Sequence, residues 1–371
     1  MILRMRLSRR TLLLSGAAAL SGCAARRTTL RFPLRLPRVH VSPDRVIRTV
    51  VGLRPFRPSG FVVRAEKVGD KLVVHNYGHG GAGITLSWGT AQLAVDEGVK
   101  GGGRDCAVVG CGVVGLSTAR VLQERGFHPT IYAREMPPAT TSNVAGGLWS
   151  PVTVYDHTRI SAEFKRQYAD AAAIAFRRYQ SLAGDWYGVR WLPLYSLDRD
   201  GPHQMPPPES ANYTVEPLYP AARQLTVAEN PFPAPFAYRK HSMLIEPAIY
   251  LAALLRDFEI AGGKVVIREF RSRAELAALS ESTIYNCTGL GARTLFGDEE
   301  LTPIRGQLTF LLPQPEIEYM TVGPGDIYMF PRHDGILLGG SHEEGNWSLA
   351  VDEQTTARVL RESAALFDGM R

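Results

Sequence analysis

The chain has 371 residues, 45% hydrophobic and 21% charged, enough to bury a substantial core in one large or two intimate domains. Four arginines, Arg4, Arg6, Arg9 and Arg10, precede Cys23 without any acid and carry most of the formal charge of +6; 38 basic residues then face 36 acidic ones. That balance leaves no electrostatic footprint for nucleic acid.

Residues 1–23 read as an export signal, with a basic start, the apolar Leu12-Leu13-Leu14 and then small residues. Ser8-Arg9-Arg10-Thr11-Leu12-Leu13 resembles a twin-arginine signal. Leu20-Ser21-Gly22-Cys23 resembles a bacterial lipobox, which implies lipidation of Cys23 and a lipid-anchored protein exported to the periplasmic side of a bacterial membrane. A membrane anchor or a basic tail is the plainer alternative, but the apolar run is short for a bilayer span. Residues 24–44, rich in Arg, Thr and Pro, read as a tether. Cys106, Cys111 and Cys287 then remain, an odd number that sets no disulfide framework, and no Cys-x-x-Cys or His-Glu-x-x-His pattern marks a metal site.

A strand is predicted over 45–52, broken by Pro55, Pro58 and Gly60, and another over 71–75. A glycine-rich stretch, His75 to Gly89, leads into a helix over 84–95, and Lys100 to Arg104 form a flexible joint. Residues 106–109 read as a buried strand, 115–125 as a helix ended by Gly126, and 129–133 as a second strand; together they make a βαβ unit, the start of a doubly wound α/β fold. Residues 160–185 have helical periodicity, and 202–220 are proline-rich and irregular. Helix is predicted over 245–260 and 355–367, strand over 264–267 and 284–289, and a mixed sheet over 305–340.

Within the βαβ unit, Gly110-x-Gly112-x-x-Gly115 follows an apolar strand and opens a helix. Glycines there permit a tight turn and close approach of a pyrophosphate to the backbone amides of Val113 and Val114 at the helix N-terminus. The second strand ends on Arg134-Glu135. Either Glu135 takes the ribose or Arg134 contacts phosphate or adenine; surface ion pairing is the alternative for both.

The following run, Tyr132 to Pro151 with Thr140-Thr141-Ser142 and Ala145-Gly146-Gly147-Leu148, closely resembles the D-amino-acid oxidase family just after its second strand. Asn286-Cys287-Thr288-Gly289, Arg305-Gly306-Gln307 and Gly339-Gly340 with Gly345-Asn346-Trp347 match further family motifs. So do Gly52-Leu53-Arg54-Pro55 and the loop His75 to Gly89. The resemblance spans residues 45–371. In the family the order is reversed: 104–371 would come first and 45–98 last, so the chain reads as circularly permuted, with engineering as the plainer explanation of the exchange. The expected architecture is a Rossmann-like FAD-binding domain (45–98 and 104–155) interleaved with a mixed-sheet α+β substrate domain within 156–371.

The resemblance implies FAD as cofactor. It places Thr141 and Ser142 near the pyrophosphate and Thr288 in a turn near the cofactor. It places Gly146, Gly147 and Leu148 against the flavin ring, and Gly80, Gly81, Gly83, Ile84 and Thr85 around the flavin's polar edge. It implies oxidation of a D-amino acid to 2-oxo acid, ammonia and hydrogen peroxide, with oxygen as co-substrate. Arg54 would fork onto the substrate carboxylate, Tyr328 would donate a second bond, and the Gly81 carbonyl would meet the amine. A structural ion pair and a core tyrosine are the alternatives for Arg54 and Tyr328. Pro324 stands where many relatives carry a further tyrosine. His342 stands where relatives acting on acidic substrates carry an arginine, so it either favours D-aspartate when protonated or lines the pocket. A glycine- or sarcosine-type oxidase or dehydrogenase, and a flavin-binding lipoprotein without turnover, are the competing readings.

Overall fold

The computed structural model describes residues 34–99, 103–199, 201 and 216–371. The signal with Cys23, residues 24–33 of the expected tether, residues 100–102 of the joint and residues 202–215 of the proline-rich stretch lie outside the described residues.

The chain opens with β1 (Val46–Phe56), β2 (Val62–Val68) and β3 (Lys71–Tyr77), then α1 (Gly83–Gly98). The βαβ unit follows as β4 (Asp105–Val109), α2 (Val113–Glu124) and β5 (His128–Ala133). Next come α3 (Ala162–Ser181), β6 (Val189–Asp198), β7 (Arg223–Gln224), β8 (Phe236–Ile245), α4 (Pro247–Ile260) and β9 (Lys264–Ile267). The short α5 (Arg273–Ala277), β10 (Thr283–Asn286) and α6 (Gly291–Phe296) lead to β11 (Thr302–Leu311), β12 (Met320–Val322), β13 (Tyr328–Arg332), β14 (Gly335–Gly339) and β15 (Glu343–Glu344). The chain ends on α7 (Glu353–Asp368).

Two sheets form among the described residues. The six-stranded sheet has the order β2-β3-β10-β4-β5-β9, parallel from β3 to β9, with β2 antiparallel at the edge. Its central strands are apolar on both sides. Val74, Val108 and Tyr285 pack with α1, α2, α3 and α4, while Val73, Ala107, Val109 and Ile284 pack with α5 and α6. Burial on both faces is what a parallel sheet between helical layers requires. The larger sheet has the order β1-β11-β14-β13-β12-β6-β8-β7, with β15 added to β11.

Local chemistry sets the helix ends. Ser161 caps α3 by accepting from Phe164 N, and Asp352 caps α7 by accepting from Gln354 N and Thr355 N. The helix expected from Ile245 begins at Pro247 instead, because Ile245 completes β8 and proline suits the first helical turn. Nor does Pro55 break β1. It lies opposite Pro303 on the outermost strand of the sheet, where a missing N–H is tolerated.

Residues 34–44 run against the protein body. Val39 is buried, and Leu34, Leu36, Val41 and Val46 pack on the cluster that holds Tyr319, Phe367 and Met370. His40 N donates to Gln314 Oε1 (2.8 Å), Gln314 Nε2 donates to His40 O (3.0 Å), and the Tyr319 hydroxyl donates to Pro37 O (2.8 Å). Arg38 reaches Met370 O. The C-terminal Met370 therefore lies beside residues 37–38, in the segment that precedes β1.

Candidate active site at the strand ends

Three loops leave the carboxyl ends of neighbouring parallel strands. His75, Asn286 and Val109 stand in one row of β3, β10 and β4, and residues 78–85, 287–291 and 110–115 follow them. Ligands of doubly wound sheets sit outside this end. Gly110 has φ +114°, and a Cβ there would lie 2.4 Å from Cys287 O. A Cβ on Gly115 would lie 1.9 Å from Gly110 O, so both positions demand glycine. Ser142 Oγ accepts from Val113 N (3.0 Å) at the start of α2, which brings the Thr141–Val144 turn onto the helix N-terminus. Val114 N is in the same first turn. Thr288 donates from Oγ1 to Asn286 Oδ1 (2.7 Å), and Asn286 bonds His75 (3.0 Å).

The first glycine loop closes on this site. A Cβ on Gly83 would lie 3.9 Å from Val113 Cγ1. Gly80 has φ +56° and packs on Thr153, whose carbonyl accepts from Gly81 N (3.0 Å). Thr85 Oγ1 accepts from Ser150 N (3.2 Å), and Ile84 O accepts from the Tyr179 hydroxyl (2.7 Å). The Gly146-Gly147-Leu148 turn is fixed from the other sheet. Ile245 N donates to Gly147 O (2.7 Å), Leu148 bridges Leu244, and Arg332 Nη1 donates to Ala145 O (2.9 Å).

Arg54 and Tyr328 lie side by side on the larger sheet, each laid over a glycine. A Cβ on Gly306 would lie 2.4 Å from Arg54 Nη2, and one on Gly339 would lie 2.1 Å from Tyr328 Cζ. The guanidinium lies close enough to the Tyr328 hydroxyl to act on its ionisation. Burial pushes that phenol's pKa up, and Arg54 pulls it partly back, so it stays protonated at neutral pH. Arg54 Nη1 is buried and has no hydrogen-bond partner. A buried guanidinium nitrogen without an acceptor is costly unless a ligand supplies one. Gly146 borders this pair, with a Cβ there 3.2 Å from Phe330 and 3.9 Å from Tyr328. Gly81 borders it too, a Cβ lying 3.7 Å from Arg54 Cδ.

Not every sequence-selected residue lies in this centre. Arg134 and Glu135 sit exposed beyond β5, where Arg134 pairs with Glu135 (3.6 Å) and Glu269 (3.7 Å). His342 stands at the rim. Desolvation first and the Arg54 charge second hold its pKa below the ordinary histidine value, against Asp326 and Glu344. Arg57 is tied to Asp298 (2.9 Å) and Glu300 (2.6 Å). Thr153, Ser150 and Arg332, which shape the loops, were not selected from the sequence. Thr153's positive φ of 57° has no sequence signal, and Arg332 acts across the two sheets. Burial pushes the thiols of Cys106, Cys111 and Cys287 up to about 12, so they are inert.

Glycine turns and a helix N-terminus beside a buried arginine–tyrosine pair mark this end of the sheet as the place for a dinucleotide cofactor. The chain belongs to the family of FAD-dependent oxidoreductases whose model matches residues 25–97 and 105–371. It is 34% identical to a D-amino-acid oxidase of Rubrobacter xylanophilus over 270 residues, which cover 71% of this chain and 77% of that protein. It is 31% identical over 268 residues to a D-aspartate oxidase of Homo sapiens, covering 70% and 75%. The glycine oxidase of Bacillus cereus shares the fold, with a TM-score of 0.52 at 15% identity over 71% of this chain and 78% of that one.

The residues fit FAD. The α2 amides, Ser142 and the open side of Gly289, where a Cβ would meet nothing within 4 Å, suit a pyrophosphate. Gly80 and Gly147, where a Cβ would lie 2.0 Å from Thr153 O and 2.1 Å from Ile245 O, let the two loops close up beside Arg54 and Tyr328.

Proposed function

We propose that the protein oxidises D-amino acids, with Arg54 and Tyr328 reading the substrate carboxylate. The observation that carries this reading is the buried, unpartnered Arg54 Nη1 beside the Tyr328 hydroxyl. Relatives named D-amino-acid oxidase, at 34% and 33% identity, support it. FAD, when bound, supplies the oxidant: the substrate loses its Cα hydride and an amine proton, water converts the imino acid to 2-oxo acid and ammonia, and oxygen takes the electron pair as hydrogen peroxide.

The protein's own groups bind and orient. Arg54 presents parallel donors to the carboxylate, and Tyr328, protonated at neutral pH, adds an O–H. The Gly81 carbonyl would receive the amine, and amides at the start of α1, such as those of Ile84 and Thr85, would face the polar edge of a bound flavin, since those of Gly81 and Ala82 are spent on Thr153 O and His79 O. Gly110, Gly112, Val113, Val114, Gly115, Thr141, Ser142 and Thr288 hold the pyrophosphate side. His342 acts as a neutral imidazole at pH 7, because its pKa is lowered, and so supplies no cation for a D-aspartate side chain. The test is anaerobic bleaching of the bound flavin by a panel of D-amino acids; if none bleaches it, the reading fails. Peroxide release in air separates an oxidase from a dehydrogenase.

We also propose that the chain is a circular permutant of its family. Two separate blocks of family match, 25–97 and 105–371, support this, as does Met370 lying against Arg38 in the segment that precedes β1. In the permuted order α1 leads from β3 to β4, two parallel strands either side of β10, which is an ordinary βαβ crossover and needs only a short joint. A gene encoding 104–371 followed by 45–98 should yield a yellow protein; persistent failure to fold with several linkers argues against the permutation. The N-terminal motifs further favour an exported, lipid-anchored protein on the periplasmic side. Fatty-acid labelling lost in Cys23→Ser is the expected outcome, and equal labelling of both proteins refutes it.

A further inference from the structure

Among the described residues, Thr153 is the one residue other than glycine with a positive φ (57°). For a β-branched side chain this left-handed region is a true outlier, and it persists only where the surroundings over-determine it. They do so here. The Tyr168 hydroxyl donates to Pro151 O (2.9 Å), and Val152 N donates to Ser150 O (2.9 Å). Val154 is buried, and Asp156 N donates to Pro58 O (2.8 Å). The chain is thus held on both sides of Thr153, while Thr153 itself takes the strained conformation.

The strain sets the direction of one carbonyl. Thr153 O accepts from Gly81 N (3.0 Å), and the next amide, Ala82 N, donates to His79 O (3.0 Å). The peptide planes on both sides of Gly81 are therefore fixed. A Cβ on Gly80 would lie 2.0 Å from Thr153 O, so the two backbones touch there. Gly81 is wedged between this segment and the buried arginine. A Cβ on it would lie 3.1 Å from Val152 O, 3.2 Å from Thr153 Cβ and 3.7 Å from Arg54 Cδ.

We propose that Thr153 is a positioning residue for the substrate amine: its left-handed backbone turns its carbonyl onto Gly81 N and so holds the Gly81 carbonyl in place beside Arg54. This rests on the D-amino-acid reading above. Arg54 and Tyr328 hold the carboxylate end without Thr153, so loss of the Thr153–Gly81 contact weakens acids that carry an amine and spares the same acids without one. The backbone carries the role, not the hydroxyl. Glycine reaches positive φ freely and can replace the threonine, whereas proline, with φ locked at about −65°, cannot.

The test follows a pair of ligands on the flavin-loaded protein. D-alanine is measured by the concentration that half-saturates anaerobic flavin reduction, and propanoate, the same acid without the amine, by the spectral shift of the oxidised flavin. Thr153→Pro should raise the D-alanine value roughly ten-fold and change that of propanoate by less than about two-fold. Gly80→Ala drives a Cβ onto Thr153 O and should have the same selective effect with Thr153 itself intact. That arm stands if the proline variant fails to fold. Thr153→Gly keeps the left-handed backbone, so it should keep the parent's ratio of the two values, with a thermal midpoint unchanged or raised as strain is relieved. Equal weakening of both ligands by Thr153→Pro and Gly80→Ala, or loss of the ratio in Thr153→Gly, overturns the proposal. If D-alanine reduces the flavin and no variant shifts the ratio, the positioning role alone fails. If no D-amino acid reduces the flavin of the parent, the underlying reading falls with it.

Discussion

Replacing Arg54 separates a ligand-reading arginine from a structural one. In the protein without substrate its Nη1 is buried and bonded to nothing, and its neighbours are Tyr328, Gly306 and Gly81 rather than a carboxylate. Two charge-assisted hydrogen bonds to a substrate carboxylate are worth about 1.5–3 kcal/mol each, hence about 3–6 kcal/mol together. At 1.4 kcal/mol per decade, Arg54→Met should lower kcat/KM for a D-amino acid by roughly 10²- to 10⁴-fold. Arg54→Lys keeps the charge but loses the fork, and should fall between the variant and the parent. Stopped-flow reduction under anaerobic conditions measures both the limiting rate and the substrate concentration for half-saturation. Stability supplies the second readout. Removing an unpaired, partly desolvated cation should leave the melting temperature of the substrate-free protein unchanged or raised, whereas breaking a buried ion pair costs about 3–5 kcal/mol. An Arg54→Met protein with kcat/KM within three-fold of the parent, or one destabilised by several kcal/mol, refutes the assignment.

Other outcomes follow from the same geometry. Gly110→Ala and Gly115→Ala force a Cβ to 2.4 Å and 1.9 Å from backbone oxygens, so the purified variants should carry little flavin, measured as the 450 nm to 280 nm absorbance ratio; full occupancy would show that the turn is not shaped as described. His79 is fully buried, stacked on Phe61 and bonded to Thr90, and burial lowers its pKa to about 3. Its folded pKa is below its unfolded one, so the unfolded state binds more protons as pH falls. Stability is therefore whole above about pH 6.5 and declines towards pH 3 by at most about 1.4 kcal/mol per unit. Urea midpoints across that window should fall less steeply in His79→Gln; equal slopes would remove His79 as the cause. Val39→Ala should cost about 1.6 kcal/mol, two buried methylene equivalents, by thermal melting. An unchanged midpoint would mean that residues 34–41 do not stay docked.

The parts legible in the sequence were those encoded locally. The βαβ unit reads from an apolar run, three spaced glycines and Gly126, all within about thirty residues, and β9 appears where its Val-Val-Ile run predicts. What stayed hidden depends on long-range pairing. β8 contains Arg239, Lys240 and His241, a polar run that becomes a strand because β6 pairs with it along its full length. β2 carries Arg64, Glu66 and Lys67, a charged stretch with no strand pattern, yet β3 holds it at the sheet edge. Arg54 and Tyr328 were selected through family motifs, but nothing in their spacing reveals that Gly306 and Gly339 form the floor on which both lie.

The order of the chain and the order of the site are separable for a physical reason. A dinucleotide site at the ends of parallel strands depends on which strands are neighbours, not on which is made first. β3, β10 and β4 lie in register although β10 comes far later in the chain. Each contributes one loop, and the three loops touch: Gly83 approaches Val113, and Gly110 approaches Cys287. Any order of synthesis that preserves this adjacency preserves the site. Without residues 34–41, Val46, Phe367 and Met370 would present apolar surface. Residues 34–41 cover it, with Val39 buried and Gln314 bonding the backbone of His40 in both directions. The segment before β1 therefore does more than lead into the strand: it packs on the cluster of Tyr319, Phe367 and Met370 and helps to close that core.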